Sequence, residues 1–240
     1  MELFQDETFR KCIRNTLIFV VTVVPAETVL GLLTAIWINN RKTTLLGKFV
    51  RNGMFIPSLA ASGVVSIVWR ILLNNESSPL YAFLKLFGID STLILGSKEM
   101  VFPALIIMDI LMGMGYYMVL YLAYLVDIPD SYYEAARLDG ATRMQTIRWI
   151  TAPLLKPAII MVAFLGVIAT FQSFDMVYVM TGGGPGNGTT MTIMVYLYQY
   201  SFKYSKVGYG MAIGNILIIM VAVLTFTQRR LINNKNSELY

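Results

Sequence analysis

Five apolar blocks, at approximately 16–38, 54–73, 101–126, 158–180 and 208–227, limit what this chain of 240 residues can fold into. Each is long enough to cross a hydrocarbon core of about 30 Å, which takes about 20 apolar residues in a helix. In hydrocarbon every backbone N–H and C=O must be satisfied without water, so such segments are expected as helices rather than open strands. The expected fold is therefore all-α, a polytopic integral membrane helical bundle of five spans forming one transmembrane domain over residues 1–240. Charge supports this. Only 14% of the residues are charged and 56% are hydrophobic, whereas a soluble domain carries about 25% charged residues. No cleavable leader pattern stands out, because the first block is already full length.

The loops between blocks alternate between two sides. One side would hold 39–53, 127–157 and 228–240, with eleven basic residues, among them Arg41, Arg51, Arg137, Arg143, Arg148 and Lys156. The other would hold 1–15, 74–100 and 181–207, with seven, among them Arg10, Lys11, Lys85 and Lys203. Positive loops face the cytoplasm, so 127–157 and the C-terminus are expected inside and the N-terminus outside. Trp37 and Trp69 lie near block ends, where aromatic residues form interfacial belts.

Several chemistries are excluded or disfavoured. The chain has no histidine and a single cysteine, Cys12. That removes internal disulfides, His-based catalysis and the usual metal sites. No cofactor, no catalytic residue and no metal site is expected, and the net charge of +5 reads as loop orientation rather than nucleic-acid binding. The stretch TGGGPGNGTT at 181–190 superficially resembles a phosphate loop, but Thr189 stands where that loop needs Lys. It reads as a turn. The methionines of 108–118 read as packing rather than as ligands.

One polar segment interrupts the apolar pattern, YYEAARLDGATRMQTIRWITAPLLKP at 132–157. Ser131 and Glu134 have capping-box spacing, which predicts a helix starting near Tyr132. Gly140 is placed to end it in a left-handed conformation. Thr142 and Gln145 form a second box, starting a helix that carries Ile147 and Ile150 and ends near Pro153. Helix, tight turn, helix is the prediction. A DNA-binding unit is disfavoured by the short length, the tether at both ends and the acids Glu134 and Asp139. A merely structural loop and a docking element for a cytoplasmic partner remain as readings. The small Ala135 and Ala136 favour docking, since they let another surface approach closely.

Polar residues inside the blocks mark a possible solute path. Asp109, Gly113 and Tyr116 fall at i, i+4 and i+7 on one face of the 101–126 block. Thr170, Gln172 and Ser173 lie past the middle of the 158–180 block, interleaved with Phe171 and Phe174. Carboxylates accept hydrogen bonds from solute hydroxyls, and the interleaved aromatic rings offer flat apolar faces beside them. For Gly113, Thr170 and Ser173, helix packing is the competing reading. A midplane carboxylate is costly and faces a wet interior or a partner, which favours a path role for Asp109. Glu27, in the middle of the first block, would line the path, pair with another subunit or stay protonated. Together Glu27 and Asp109 leave a cationic or amino-sugar solute open. Asp175 and Arg70 sit nearer the outer ends and are expected to snorkel to water.

The polar segment resembles the EAA motif of the permeases of binding-protein-dependent ABC importers. Glu134, Ala135, Ala136, Gly140, Ile150 and Pro153 fit that pattern, while Ala152 stands where the family commonly has Leu. FQSFDMVYVMTGGGPGNGTT at 171–190, VYLYQYSF after it and NTLIFVVTVVP with GLLTA near 15–35 resemble the carbohydrate-importing, maltose permease-like branch. The resemblance covers essentially the whole chain. It implies a permease for sugars or polyols in a bacterial or archaeal cell membrane. Its partners would be a homologous second permease, a cytoplasmic ABC ATPase dimer and an extracytoplasmic sugar-binding protein. It implies that Glu134, Ala135, Ala136, Asp139, Gly140 and Pro153 couple to the ATPase, and that this chain hydrolyses nothing itself. Relatives usually have one more N-terminal span, so the resemblance implies either a protein lacking it or a start at a late methionine. An ABC permease for another solute is the alternative. An ion-coupled carrier using Glu27 and Asp109 is disfavoured by the docking segment, which such a carrier does not need.

Overall fold

Backbone that cannot turn to water closes its hydrogen bonds locally, and helices account for almost all the ordered structure. The computed structural model describes residues 2–41, 44–88, 94–184 and 188–236. Lys42 and residues 185–187 of the glycine-rich stretch lie outside this set. Among the described residues there is no strand. In chain order the helices are α1 (Glu2–Gln5), α2 (Glu7–Asn39), α3 (Leu45–Leu59), α4 (Ser62–Asn74), α5 (Pro79–Lys85) and α6 (Val101–Val126). They continue with α7 (Asp130–Leu138), α8 (Arg143–Leu154), α9 (Lys156–Phe171), α10 (Asp175–Thr181), α11 (Ile193–Tyr198) and α12 (Val207–Asn236).

Three of these helices are long and apolar enough to cross a membrane alone: α2, α6 and the Val207–Gln228 part of α12. The number rises to 5 when the broken pairs α3 with α4 and α8 with α9 each count as one crossing. Helix α2 has 33 residues, about 50 Å at 1.5 Å per residue. It therefore outruns the hydrocarbon, and it starts at Glu7 rather than near 16, carrying Arg10, Lys11 and Arg14 in its first turns.

Two stretches expected as continuous are interrupted. The 54–73 block is divided between α3 and α4. Ala61 is extended (φ −58°, ψ 131°), and its carbonyl accepts the N–H groups of Val64 (2.9 Å) and Val65 (3.2 Å), which starts a new helix. Pro57, inside α3, has no N–H to give the preceding turn. The 158–180 block is cut between Phe171 and Asp175. There the N–H groups of Gln172 and Ser173 reach Ala169 (3.1 Å) and Thr170 (3.2 Å), the tighter i to i+3 pattern of a helix end.

The chain forms two compact units. The first comprises Met1–Val24, Ala60–Ile110 and Val167–Tyr240, and the second Pro25–Leu59 and Leu111–Gly166. In the first unit, Phe9, Cys12, Ile193, Tyr196 and Ile213 make one buried cluster, and Val20, Val24, Val167 and Phe171 another. Polar pins hold it as well. The Thr16 hydroxyl accepts from the N–H of Ile193 (3.0 Å), and the Asn15 amide donates to the carbonyls of Thr189 (3.1 Å) and Met191 (3.0 Å).

In the second unit Ala35, Ile36, Tyr117, Met118, Tyr121, Leu155 and Val162 are buried together. Between helices in lipid the drive for association is close packing rather than release of water, and the glycines show where that packing is closest. A β-carbon at Gly31 would lie 3.3 Å from Cβ of Tyr117, and one at Gly115 would lie 2.8 Å from the backbone carbon of Met54. Helix α6 is thus packed directly on the backbone of α3.

Candidate coupling segment and solute path

The polar segment of the second unit is built as two short helices around a tight turn. Helix α7 begins at Asp130 with Pro129 as its N-cap and no side-chain capping bond. The expected box between Ser131 and Glu134 is therefore not made: Pro129 opens the helix before Ser131 reaches the cap position, and Asp130 stands in the first turn, where a carboxylate favours the positive end of the helix. The C-terminus follows the sequence. Gly140 has φ +72°. The N–H of Ala141 bonds to the carbonyl of Ala136 (2.9 Å) and that of Gly140 to Arg137 (3.1 Å), the paired bonds of a Schellman stop.

Helix α8 starts with the expected box. The N–H of Thr142 donates to Oε1 of Gln145 (2.7 Å), and the N–H of Gln145 donates to Thr142 Oγ1 (3.4 Å). As expected, Pro153 lies near the end of this helix. Having no N–H, it cannot serve the carbonyl of Trp149, and the turn over Ile147–Thr151 widens to a π-helix instead. The helix runs on to Leu154, and the chain bends by 65° into α9. The hydroxyls of Tyr133 and Thr151, 3.4 Å apart, link α7 to α8.

Of the predicted coupling residues, Glu134, Ala135, Asp139, Gly140 and Pro153 are exposed, while Ala136 is buried. Around them apolar side chains project: Leu138 is 89% exposed, Met144 72% and Trp149 71%. Single exposed apolar residues are ordinary, but Trp149 also walls a groove of about 680 Å³ together with Tyr132, with Ala135, Ala136 and Gly140 among its small lining residues. The sequence signalled the alanines and the glycine. It gave no sign that Trp149 would stand clear of the core.

The predicted path residues divide between the units. In the first, Asp109 and Ser173 are half-buried, Thr170 is buried and Gln172 is exposed. In the second, Tyr116 is 47% exposed and meets Tyr117 edge to face with centroids 5.4 Å apart. Gly113 receives Glu27, since a β-carbon there would come within 2.6 Å of the Glu27 Cδ. Glu27 is buried. Nothing in the spacing of residues 27 and 113 announces this.

Arg70 is exposed and Asp175 half-buried, and each is also held by a neighbouring helix. The Ser62 hydroxyl donates a short hydrogen bond to Asp175, and Arg70 Nη1 donates to the carbonyl of Val179 (3.1 Å). These bonds pin α4 to α10. Beyond the break at 172–174, Phe174 stacks on Tyr178 at 4.9 Å, and Tyr198 lies 4.8 Å from Phe174 and 5.1 Å from Tyr178.

Apolar helices of spanning length, broken crossings and a capped polar helix pair define a polytopic membrane permease. The chain matches the family described as "Binding-protein-dependent transport system inner membrane component" over residues 27–236, and it belongs to that family. It is 32% identical to the lactose transport system permease protein LacF of Rhizobium radiobacter, over 95% of this chain and 77% of that protein. It is 31% identical to the multiple sugar-binding transport system permease protein MsmF of Streptococcus mutans, over 95% of this chain and 78% of that one. Among solved structures, a bacterial ABC transporter for import of the acidic polysaccharide alginate shares the fold, with a TM-score of 0.87, 23% identity and coverage of 97% of this chain and 82% of that one.

Proposed function

We propose that this permease is one half of an ATP-driven importer for a sugar or related polyol, working with a homologous second permease. The relatives named for lactose and multiple sugars support the solute class. The observation that carries the mechanism is the polar helix pair, closed by a Schellman stop at Gly140 and crowned by exposed Leu138, Met144 and Trp149. Such a unit moves as a body, because its turn is fixed by backbone bonds and its two helices by the contact of Tyr133 with Thr151. Seated in a groove of a cytoplasmic ATPase dimer, Glu134, Ala135, Ala136, Asp139, Gly140 and Pro153 would carry its closure into α6 and α9. ATP hydrolysis lies on that separate subunit. An extracytoplasmic sugar-binding protein delivers the solute on the other side, and the C-terminus lies in the cytoplasm.

The residues we assign to the solute route are Asp109, Thr170, Gln172 and Ser173 in the first unit and Gly113 and Tyr116 in the second. The break at 172–174 supports it. Non-helical backbone at membrane depth is tolerated only when it is buried in protein or lines a watery cavity, and Gln172 is exposed. The test is gentle purification from the native membrane with identification of what co-purifies, in parallel with Gly140→Glu. An ATPase and a second permease, with the ATPase lost in the variant, support the assignment. A chain that purifies alone and is indifferent to Gly140 overturns it.

A further inference from the structure

We propose that the second unit holds a phosphate-bearing anion in a cleft between the polar helix pair and the adjoining ends of α2 and α6. The cleft has a volume of about 400 Å³, and Arg137, Arg143, Asn39 and Asn40 line it over a floor that includes Ile36 and Leu125. Among the described residues no carboxylate lines it. Among the described residues neither Arg137 nor Arg143 forms an ion pair, because the chain offers neither guanidinium an acid at pairing distance. Two guanidinium groups from different helices on one acid-free cleft build a positive potential that an anion relieves. Their planar forks fit phosphate oxygens two at a time.

The remaining lining sharpens the choice of ligand. The Asn40 amide is committed to the carbonyl of Ile36 (2.9 Å), and the Tyr133 hydroxyl to Thr151. Among the described residues the Asn39 amide has no such commitment, and Asn39 also lines two neighbouring clefts. One, of about 180 Å³, brings Lys48 and Arg51. The other, of about 630 Å³, has both Asp130 and Arg137 in its lining, without an ion pair between them. Basic rims over apolar floors at the ends of spanning helices suit a phosphate ester with an uncharged remainder. A phospholipid headgroup and a soluble phosphomonoester share that chemistry. The cleft shares Ala141 and Thr146 with the groove lined by Ala135, Gly140 and Trp149, but the two arginines do not line that groove, and occupancy of the cleft does not depend on which solute is carried.

Two probes separate the sources: phosphatidylglycerol, followed as an adduct by native mass spectrometry of the purified full chain, and glycerol 3-phosphate, followed by ³¹P line broadening on the same sample. Saturable binding of either, reduced at least tenfold in Arg137→Gln/Arg143→Gln, supports the site. The lipid adduct identifies a membrane source and the soluble ester a cytoplasmic one. Arg143→Gln alone, at an exposed position in the first turn of α8, provides a variant that folds if the double change does not, and the same direction is expected. Failure of both probes to bind the unsubstituted chain overturns the proposal. So does binding that the substitutions leave unchanged, or loss of a co-purifying protein in the variants without any phosphate binding, which would assign the arginines to a partner's carboxylates.

Discussion

Glu27 of α2 fits against Gly113 of α6 so closely that any side chain at 113 would collide with its carboxyl group. The contact has a companion one turn on, where Tyr117 rests against Gly31. A large residue on each helix thus meets a glycine on the other. At Gly113 the seam has no room for a methyl group unless Glu27 moves, and at Gly31 the fit is tight.

Gly113→Ala should therefore destabilise the second unit by about 1–3 kcal/mol, the usual cost of overpacking. Because the colliding atoms belong to the end of a side chain, Glu27→Ala should relieve much of that loss. Thermal unfolding of the purified single and double variants would measure it, and purely additive effects would show that the two residues do not share the site.

Gly115→Ala should be worse than Gly113→Ala. The added methyl meets the backbone of Met54, 2.8 Å from its carbonyl carbon, and backbone cannot swing aside as a carboxyl can. The expected outcome is a lower unfolding midpoint than Gly113→Ala, with no rescue by shortening the Met54 side chain.

At Gly140 the constraint is dihedral rather than spatial. Its φ is +72° and a β-carbon would meet nothing within 4 Å. Gly140→Val should cost about 1–2 kcal/mol, the penalty for a left-handed L-residue, and Gly140→Asn less, since Asn visits that region more readily. If the turn transmits ATPase closure, uptake should fall in the order Gly, Asn, Val while membrane insertion is unchanged. Equal uptake in all three would remove the turn from the mechanism.

Asp6 carries a pH dependence. Burial works to raise its pKa, but the hydroxyls of Tyr196 and Tyr209 and the N–H groups of Phe9 and Thr8 outweigh it and hold the carboxyl below its ordinary 3.8. Tyr209 donates at 3.0 Å and Thr8 at 2.8 Å. A group lowered on folding adds stability that is complete above its unfolded pKa and is lost as pH falls through the folded one. Asp6→Asn should thus destabilise the chain at pH 6–8, and the difference from the unsubstituted protein should shrink below about pH 4. Protease resistance of the N-terminal segment across pH would follow it, and a gap that persists unchanged at pH 3 would contradict the assignment.

Much of this was legible in the residues. The lengths of the apolar blocks required spanning helices, Gly140 stopped α7, and Thr142 with Gln145 started α8, because periodicity, left-handed backbone and capping are local properties that a few neighbouring residues settle. The family pattern at Glu134–Pro153 was equally local. Breaks were less legible. Ala60 and Ala61 are good helix formers, yet the chain extends at Ala61, and α9 stops after Phe171 without glycine or proline. Pro153, by contrast, marked the end of α8 to within one residue.

The sequence by itself determined that this is a helical membrane protein of the permease family, with one ordered polar helix pair. Only the tertiary structure decided which residues meet. Glu27 with Gly113, Ser62 with Asp175 and the two arginines of the polar cleft lie on separate elements. Their meeting depends on how close packing and hydrogen bonding are satisfied across helices, and no short-range spacing records that.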